Sequence, residues 1–264
     1  MFKSKITILM YIFMYVIVLV NYFDNVITYY GYNIPNMISP MKLLFLSDYE
    51  GYSFYFLQYY PLLVVIPASF AFVNDITSKE ILYMQARMSK RDYYTGKSIA
   101  VFLVTFIVFT VPMLCEYVLN IVSFPLNAIG DQSNTNIFDE LYAEGVERYL
   151  FADVWISNRY VYAFVFILMF GIVSGILALF AGLISSVFKF KFKILVFFPV
   201  YLLLNFLNST YFSTKLGCST NYFFYFKMFS MSEKSEGYLI LFNLILVLIS
   251  CAIIWLKTRK DELL

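Results

Sequence analysis

Residues 160–188 read YVYAFVFILMFGIVSGILALFAGLISSVF, a run of 29 positions without an Asp, Glu, Lys or Arg. A helix rises about 1.5 Å per residue and the hydrocarbon of a bilayer is about 30 Å thick, so roughly 20 apolar residues suffice to cross it. This run meets that length with residues to spare. It predicts a transmembrane helix and decides the class of the fold.

Five further apolar segments meet or approach the same requirement: residues 6–23, 53–73, 98–124, 194–207 and 238–256. The first resembles a secretory signal peptide but lacks a small-x-small cleavage pattern, so we interpret it as an uncleaved helix. The segment 194–207 is short, and we expect it to continue as far as Phe212 or to end in an irregular buried stretch. The sequence predicts an all-α integral membrane protein with six transmembrane helices in a single domain, residues 1–264.

The composition supports a membrane protein and argues against several enzyme classes. Of the 264 residues, 61% are hydrophobic and 14% charged, whereas soluble domains have about 45–50% apolar and about 25% charged residues. The chain has no histidine, the commonest general base and zinc ligand. Its three cysteines do not form a disulfide framework. We expect neither a metal nor a cofactor.

The distribution of charge predicts the orientation of the spans. If the amino terminus is cytoplasmic, the cytoplasmic segments are residues 1–5, 74–97, 189–193 and 257–264. They hold 13 basic and 5 acidic residues, whereas the opposite side holds 6 basic and 11 acidic ones. Cytoplasmic loops of membrane proteins are enriched in Lys and Arg. Both termini are therefore predicted to be cytoplasmic, which requires an even number of spans.

Three external segments of 29, 35 and 30 residues are longer than simple turns. The middle one, residues 125–159, is acidic and contains helix-like spacing at 138–151, which predicts helical segments lying on the membrane interface. The third contains NYFFYFKMF at 221–229. So many aromatic residues predict that this stretch enters the headgroup region or re-enters the membrane.

The cytoplasmic connection at 74–97 has a more specific pattern. Good helix formers after Ser78 predict a short helix that begins near Thr77 and ends or bends around Met88 and Ser89. Ser89 and Asp92 then form a capping pattern at the entry to the next span. Two interpretations remain open: a basic helix that rests on anionic headgroups, or a docking element for a partner.

The run from Pro67 to Lys97 resembles the connection between the second and third spans of ABC-2 type transporter permeases. Those permeases have six spans and cytoplasmic termini, and their connection forms a coupling helix that docks into a separate ATPase subunit. The chain differs from the simplest members in its long acidic segment 125–159. By position, the resemblance assigns the coupling segment to Ser78, Lys79, Glu80, Tyr83, Arg87, Ser89, Arg91, Tyr94 and Lys97.

The resemblance implies a noncatalytic permease subunit in a bacterial plasma membrane. It would pair with a second permease chain, as a homodimer or heterodimer, and would export an amphipathic or hydrophobic peptide, antibiotic or lipid-like molecule by alternating access. ATP would be hydrolysed on the partner, because Gly96-Lys97-Ser98 lacks the preceding glycine of a phosphate-binding loop and Arg91 stands in its place. No nucleic acid is expected. The alternatives are an ATPase-independent channel, a secondary carrier, a membrane anchor subunit and, less favoured, an intramembrane hydrolase.

Glu116 is the only ionisable residue within the predicted spans. An acid at mid-bilayer depth costs about 2.5–3.5 kcal/mol on insertion scales, so it needs compensation. One interpretation places Glu116 on a substrate path. The other, which we favour, places it near the external end of the third span, where it reaches water or hydroxyl groups.

The fourth span has a face of small residues at spacings of four, three and four positions. Small side chains let helices approach closely. The partner is either another span of the chain, which we favour, or a second protomer. The residues of this face are Gly171, Gly175, Ala178 and Gly182.

Overall fold

The computed structural model describes residues 4–32, 37, 39–47, 51–78, 80–85, 87–126, 148–188, 193–208, 210–230 and 232–259. Of these residues 80% are helical, and no strand occurs among them. The predicted all-α class is therefore confirmed for the part of the chain that the structure describes.

Four of the described helices are long and apolar enough to cross a membrane. They are α1 (Lys5–Thr28), α5 (Lys90–Ser123), α7 (Arg159–Val187) and α11 (Glu236–Arg259). Each contains one of the predicted spans or nearly all of it, and α5 begins eight residues before its span. Their length and apolar character are those of an all-α membrane protein.

The predicted span 53–73 is not one helix, which corrects the sequence-based expectation. It consists of α2 (Gly51–Leu63), turns at 64–69 and α3 (Phe70–Thr77). Pro67 lies within these turns. Because proline has no N–H to donate and its ring crowds the preceding turn, it can kink or end a helix, and at Pro67 the helix is interrupted.

The predicted span 194–207 is likewise divided. A 3-10 turn at Lys193–Phe197 leads into α8 (Phe198–Leu207), with Pro199 in the first turn of that helix. The expected continuation to Phe212 is wrong: α8 ends at Leu207, and a separate helix, α9 (Thr210–Leu216), follows. A second short helix, α10 (Tyr222–Phe226), lies in the aromatic stretch at 221–229.

Two other short helices lie in the connections. The helix expected from Thr77 begins at Glu80 instead, as α4 (Glu80–Gln85), because α3 runs on to Thr77. There the Ser78 hydroxyl donates to the Asn74 carbonyl at 2.8 Å. Within the segment predicted to carry interfacial helices, residues 127–147 lie outside the described residues, and α6 (Ala152–Ser157) is its described helix.

Helices α5 and α7 are antiparallel neighbours at the centre of the bundle. Phe102 of α5 lies against Gly175 of α7, and the rings of Tyr117 and Phe164 are 6.4 Å apart farther along the pair. Lys257 at the end of α11 donates to the carbonyl of Ser186 at the end of α7 at 2.9 Å. The start of α5 and the ends of α7 and α11 therefore lie at one end of the bundle, which we call the α4 end.

The core between the helices is largely aromatic. Tyr60 of α2 is fully buried, and its hydroxyl lies 2.9 Å from that of Ser174 on α7. The rings of Phe109, Phe170 and Phe226 have centroids 4.8 to 6.2 Å from that of Tyr60. The aromatic stretch at 221–229 is thus packed into the bundle, as a re-entrant segment would be.

Candidate functional site

Most of the described residues of the predicted coupling segment are exposed at the α4 end, whereas Tyr94 is buried and Lys97 is largely buried. Tyr83 of α4 is 75% exposed, and Glu80, Arg87 and Arg91 are also exposed. Lys79 lies outside the described residues. A short helix whose polar and aromatic side chains face outward can present them to another surface.

The cap predicted at Ser89 is present. Its Oγ accepts a hydrogen bond from the backbone N–H of Asp92 at 3.1 Å and donates to Asp92 Oδ2 at 2.6 Å. The reciprocal bonds fix the point at which the connection enters α5. Ser78, at the other side of α4, is the C-cap of α3.

A polar cluster joins the two helices that flank α4. Asp75 Oδ2, near the end of α3, forms a salt bridge with Lys97 Nζ and accepts a hydrogen bond from the Tyr93 hydroxyl at 2.6 Å. Lys97 Nζ also donates to the Tyr93 hydroxyl at 3.1 Å. The side chains of Lys97 and Asp75 are only 10% and 17% exposed. We call these three residues the α3–α5 clamp.

Aromatic rings surround the α3–α5 clamp. Lys97 Nζ lies 5.5 Å from the ring centroid of Phe72, and the Phe72 ring stacks on that of Tyr94 at 6.1 Å. Partial burial strengthens the attraction between opposite charges, because less water screens it. The α3–α5 clamp therefore joins the two helices that flank α4.

Sequence reasoning placed Tyr94 and Lys97 in the coupling segment but missed the roles of Asp75 and Tyr93. The sequence contains a partial signal. Asp75 follows the apolar run 53–73 and Lys97 precedes the apolar run 98–124, and an unpaired charge so close to an apolar run would be unfavourable. Their separation of 22 residues hides the pairing.

The small-residue face of α7 packs within the chain. An added Cβ at Gly175 would lie 2.7 Å from the Phe102 ring and 3.1 Å from the Phe102 carbonyl oxygen, and one at Gly171 would collide with Thr110 Oγ1. These contacts bring α7 against α5. Gly182 faces Phe72 of α3, and the carbonyl of Ala178 accepts from Ser69 Oγ at 2.8 Å. Both neighbours of α4 are thus packed on α7.

The second candidate site surrounds Glu116, which is 1% exposed. Its Oε1 accepts from the side-chain amide of Asn21 on α1 at 2.7 Å, and both its oxygens lie 3.1 Å from the backbone nitrogen of Phe45. These distances are those of hydrogen bonds to a carboxylate. Both of these partners are amide groups, whereas the sequence suggested water or hydroxyl groups.

Segment 39–47, which contains a 3-10 turn at Pro40–Leu43, inserts beside Glu116 and is buried throughout. Asn21 and Asn25 of α1 both donate to the carbonyl of Leu43, at 3.1 and 3.0 Å. Lys42, which the charge count includes among the residues of the side opposite the cytoplasm, is only 4% exposed; its side of the membrane stays a prediction. The buried arrangement supports a role in holding this segment, and the substrate-path role of Glu116 remains a prediction.

Sequence reasoning missed Asn21, Asn25 and Phe45 as partners of this site. The asparagines lie in and just beyond an apolar run, where an amide needs a hydrogen-bond partner, and that was the available signal. Among the described residues, no group of three or more His, Cys, Asp or Glu could hold a metal ion.

Comparison of the chain with protein-family models, with curated proteins and with solved structures found no match in any of the three.

Proposed function

We infer that the chain is the permease subunit of an ATP-driven exporter of the ABC-2 type. The observation that carries this proposal is the position of α4, an exposed helix between α3 and α5. The α3–α5 clamp joins the end of α3 to the start of α5. A surface element coupled to the helices behind it is what an ATPase partner would need in order to move them.

The directions of the helices support six passages with both termini cytoplasmic. Four passages are α1, α5, α7 and α11. The other two would be the interrupted segments 51–77 and 193–230. The turns at 64–69 are largely buried by protein, as irregular backbone inside a membrane must be, whereas Asn208 and Gly217 are exposed. The start of α1 and the end of α11 would then lie on the same, basic side of the membrane as α4.

The proposed mechanism starts on a separate ATPase subunit. Its closure on ATP would displace α4, and the α3–α5 clamp would carry that displacement into α3 and α5. Because both helices contact α7 through the small-residue face, the displacement would reach the centre of the bundle. Alternating access of a dimer would then export an amphipathic or hydrophobic cargo, a peptide, antibiotic or lipid-like molecule.

The proposal can be tested by purifying the tagged chain from native membranes in mild detergent. We expect an ABC-type ATPase to be retained and the complex to hydrolyse ATP, whereas the chain separated from it hydrolyses none. If the isolated chain moved a substrate into proteoliposomes on an ion gradient alone, the secondary-carrier alternative would replace this proposal.

A further inference from the structure

A groove of about 780 Å³ opens at the α4 end between the start of α5 and the end of α11. The α5 side provides the more polar wall and the α11 side the more apolar one. Its lining residues are Ser89, Lys90, Arg91 and Thr95 of α5 and Cys251, Ile254, Trp255, Thr258 and Arg259 of α11.

Among the residues that the structure describes, the lining combines three basic side chains with hydroxyl groups and contains no acid. The guanidinium of Arg259 lies 4.9 Å from the ring centroid of Trp255, a distance at which the cation is attracted to the ring face. Two charged groups lie near this lining: Asp92 accepts from Ser89, a lining residue, and Lys257 donates to the carbonyl of Ser186.

The chemical character of the groove changes along α11. Arg259 and Thr258 lie at the end of the helix, whereas Cys251 and Ile254 lie toward the middle of the bundle. Trp255, which is 56% exposed, lies between them. Tryptophan is enriched where apolar and polar layers of a membrane meet. The sequence of cations, tryptophan and apolar side chains follows the order of headgroup, interface and acyl chain in a phospholipid.

We propose that this groove binds an anionic phospholipid, with its phosphate between Arg91 and Arg259 and an acyl chain along Cys251 and Ile254. Basic pockets between transmembrane helices bind anionic headgroups in this way. A free phosphate would leave the apolar wall unused. The inference rests on the membrane placement proposed above but needs no ATPase, so the two proposals can fail separately.

The position of Trp255 allows a direct measurement. The chain has two tryptophans; Trp155 is 1% exposed, whereas Trp255 lines the groove. Full-length chain in detergent micelles is titrated with phosphatidylglycerol brominated on its acyl chains, and quenching of tryptophan fluorescence is followed. Brominated phosphatidylcholine serves as the neutral probe. We expect phosphatidylglycerol to half-quench Trp255 at a concentration at least about tenfold lower.

Arg91→Gln combined with Arg259→Gln removes two of the cations without changing the apolar wall. Each basic residue near an anionic surface contributes enough attraction for the double variant to lose roughly 10- to 30-fold in phosphatidylglycerol affinity. The matched control is Lys215→Gln, because Lys215 is also exposed over a ring, that of Tyr211 at 4.8 Å, but lies outside the groove. The control should retain the affinity of the unaltered chain.

Three outcomes would overturn the proposal. Equal quenching by the two lipids would show that the cations do not select a headgroup. Competition by inorganic phosphate at the concentration of the lipid would identify a free-phosphate site. If phosphatidylglycerol quenched Trp255 only after removal of residues 260–264, the acidic end of the chain would be the occupant.

Discussion

The side-chain amide of Asn21 donates a 2.7 Å hydrogen bond to Glu116 Oε1 and thereby joins α1 to α5 across 95 residues of sequence. The same carboxylate accepts from the backbone of Phe45. A buried acid therefore holds two helices and segment 39–47 together. This relationship predicts that Glu116 contributes to the stability of the fold.

Glu116→Ala should lower the free energy of unfolding substantially. The substitution leaves the Phe45 N–H and the Asn21 amide without this acceptor, and an unsatisfied buried donor costs about 1–3 kcal/mol. Thermal unfolding of the purified chain in detergent measures the loss. The free energy of unfolding of Glu116→Gln, which keeps one acceptor oxygen, should lie between that of the unaltered chain and that of Glu116→Ala.

Glu236 provides a matched control for this prediction. It also accepts from a backbone N–H, that of Phe151 at 2.8 Å, but it is exposed at the start of α11. Glu236→Ala should change stability by less than about 1 kcal/mol, because water replaces the lost acceptor. Equal losses for the two substitutions would refute the structural role of burial at Glu116.

Gly175→Ala should destabilise the contact between α5 and α7 by about 1–3 kcal/mol, the usual range for overpacking. The new methyl would lie 3.1 Å from the Phe102 carbonyl oxygen, which belongs to a helix backbone and cannot move alone. Thermal unfolding in detergent again provides the measurement.

Gly96→Ala is the corresponding control on α5, where an added Cβ meets nothing within 4 Å. An exposed helical glycine disfavours folding relative to alanine by about 0.5–1 kcal/mol, so this substitution should stabilise. If Gly175→Ala also stabilised the chain, α5 and α7 could not approach each other as closely at Gly175 as described.

The sequence predicted the long helices because apolar length is a local property. It also indicated the cap at Ser89, which depends on residues three positions apart. It could not predict the break at 64–69 in detail, since Pro67 permits either a kink or a turn. The partners of Glu116 and Asp75 were hidden for another reason: they lie 95, 71 and 22 residues away in the chain, and only tertiary packing brings them together.

The α3–α5 clamp should behave as a coupled pair. Asp75→Asn, Lys97→Met and the double variant form a cycle in which the double variant loses less stability than the sum of the single ones. For partly buried ionic neighbours we expect an interaction energy of roughly 0.5–3 kcal/mol, measured by unfolding in detergent. Strict additivity would mean that the two side chains do not interact in the folded chain.

The proposed topology predicts which residues reagents can reach from outside the cell. In a background without native cysteines, a cysteine at Ser133 should react with a membrane-impermeant maleimide on intact cells. One at Ser89 should react only after permeabilisation, because it lies at the α4 end with the basic segments. The reverse labelling pattern would show that the chain has the opposite orientation, with α4 outside the cell, where a cytoplasmic ATPase could not reach it.

The final prediction separates a coupling helix from a lipid-binding one. Glu80→Arg and Arg87→Glu alter exposed residues at the start of α4 and just beyond its end. Expression should therefore be unchanged, and the free energy of unfolding should stay within about 0.5 kcal/mol of that of the unaltered chain. At a docking surface, however, a like-charge contact costs several kcal/mol. Both variants should therefore lose the co-purifying ATPase and its substrate-stimulated turnover.

A helix that rests on lipid would respond differently to the two substitutions. Glu80→Arg would strengthen its attraction to an anionic leaflet, by about 1 kcal/mol for each added basic residue, and only Arg87→Glu would weaken it. Lys215→Glu, on exposed α9, controls for a change of charge away from α4 and should leave ATPase association intact. Because docking predicts loss in both α4 variants and lipid contact predicts opposite effects, co-purification measured on the three variants decides between the two roles.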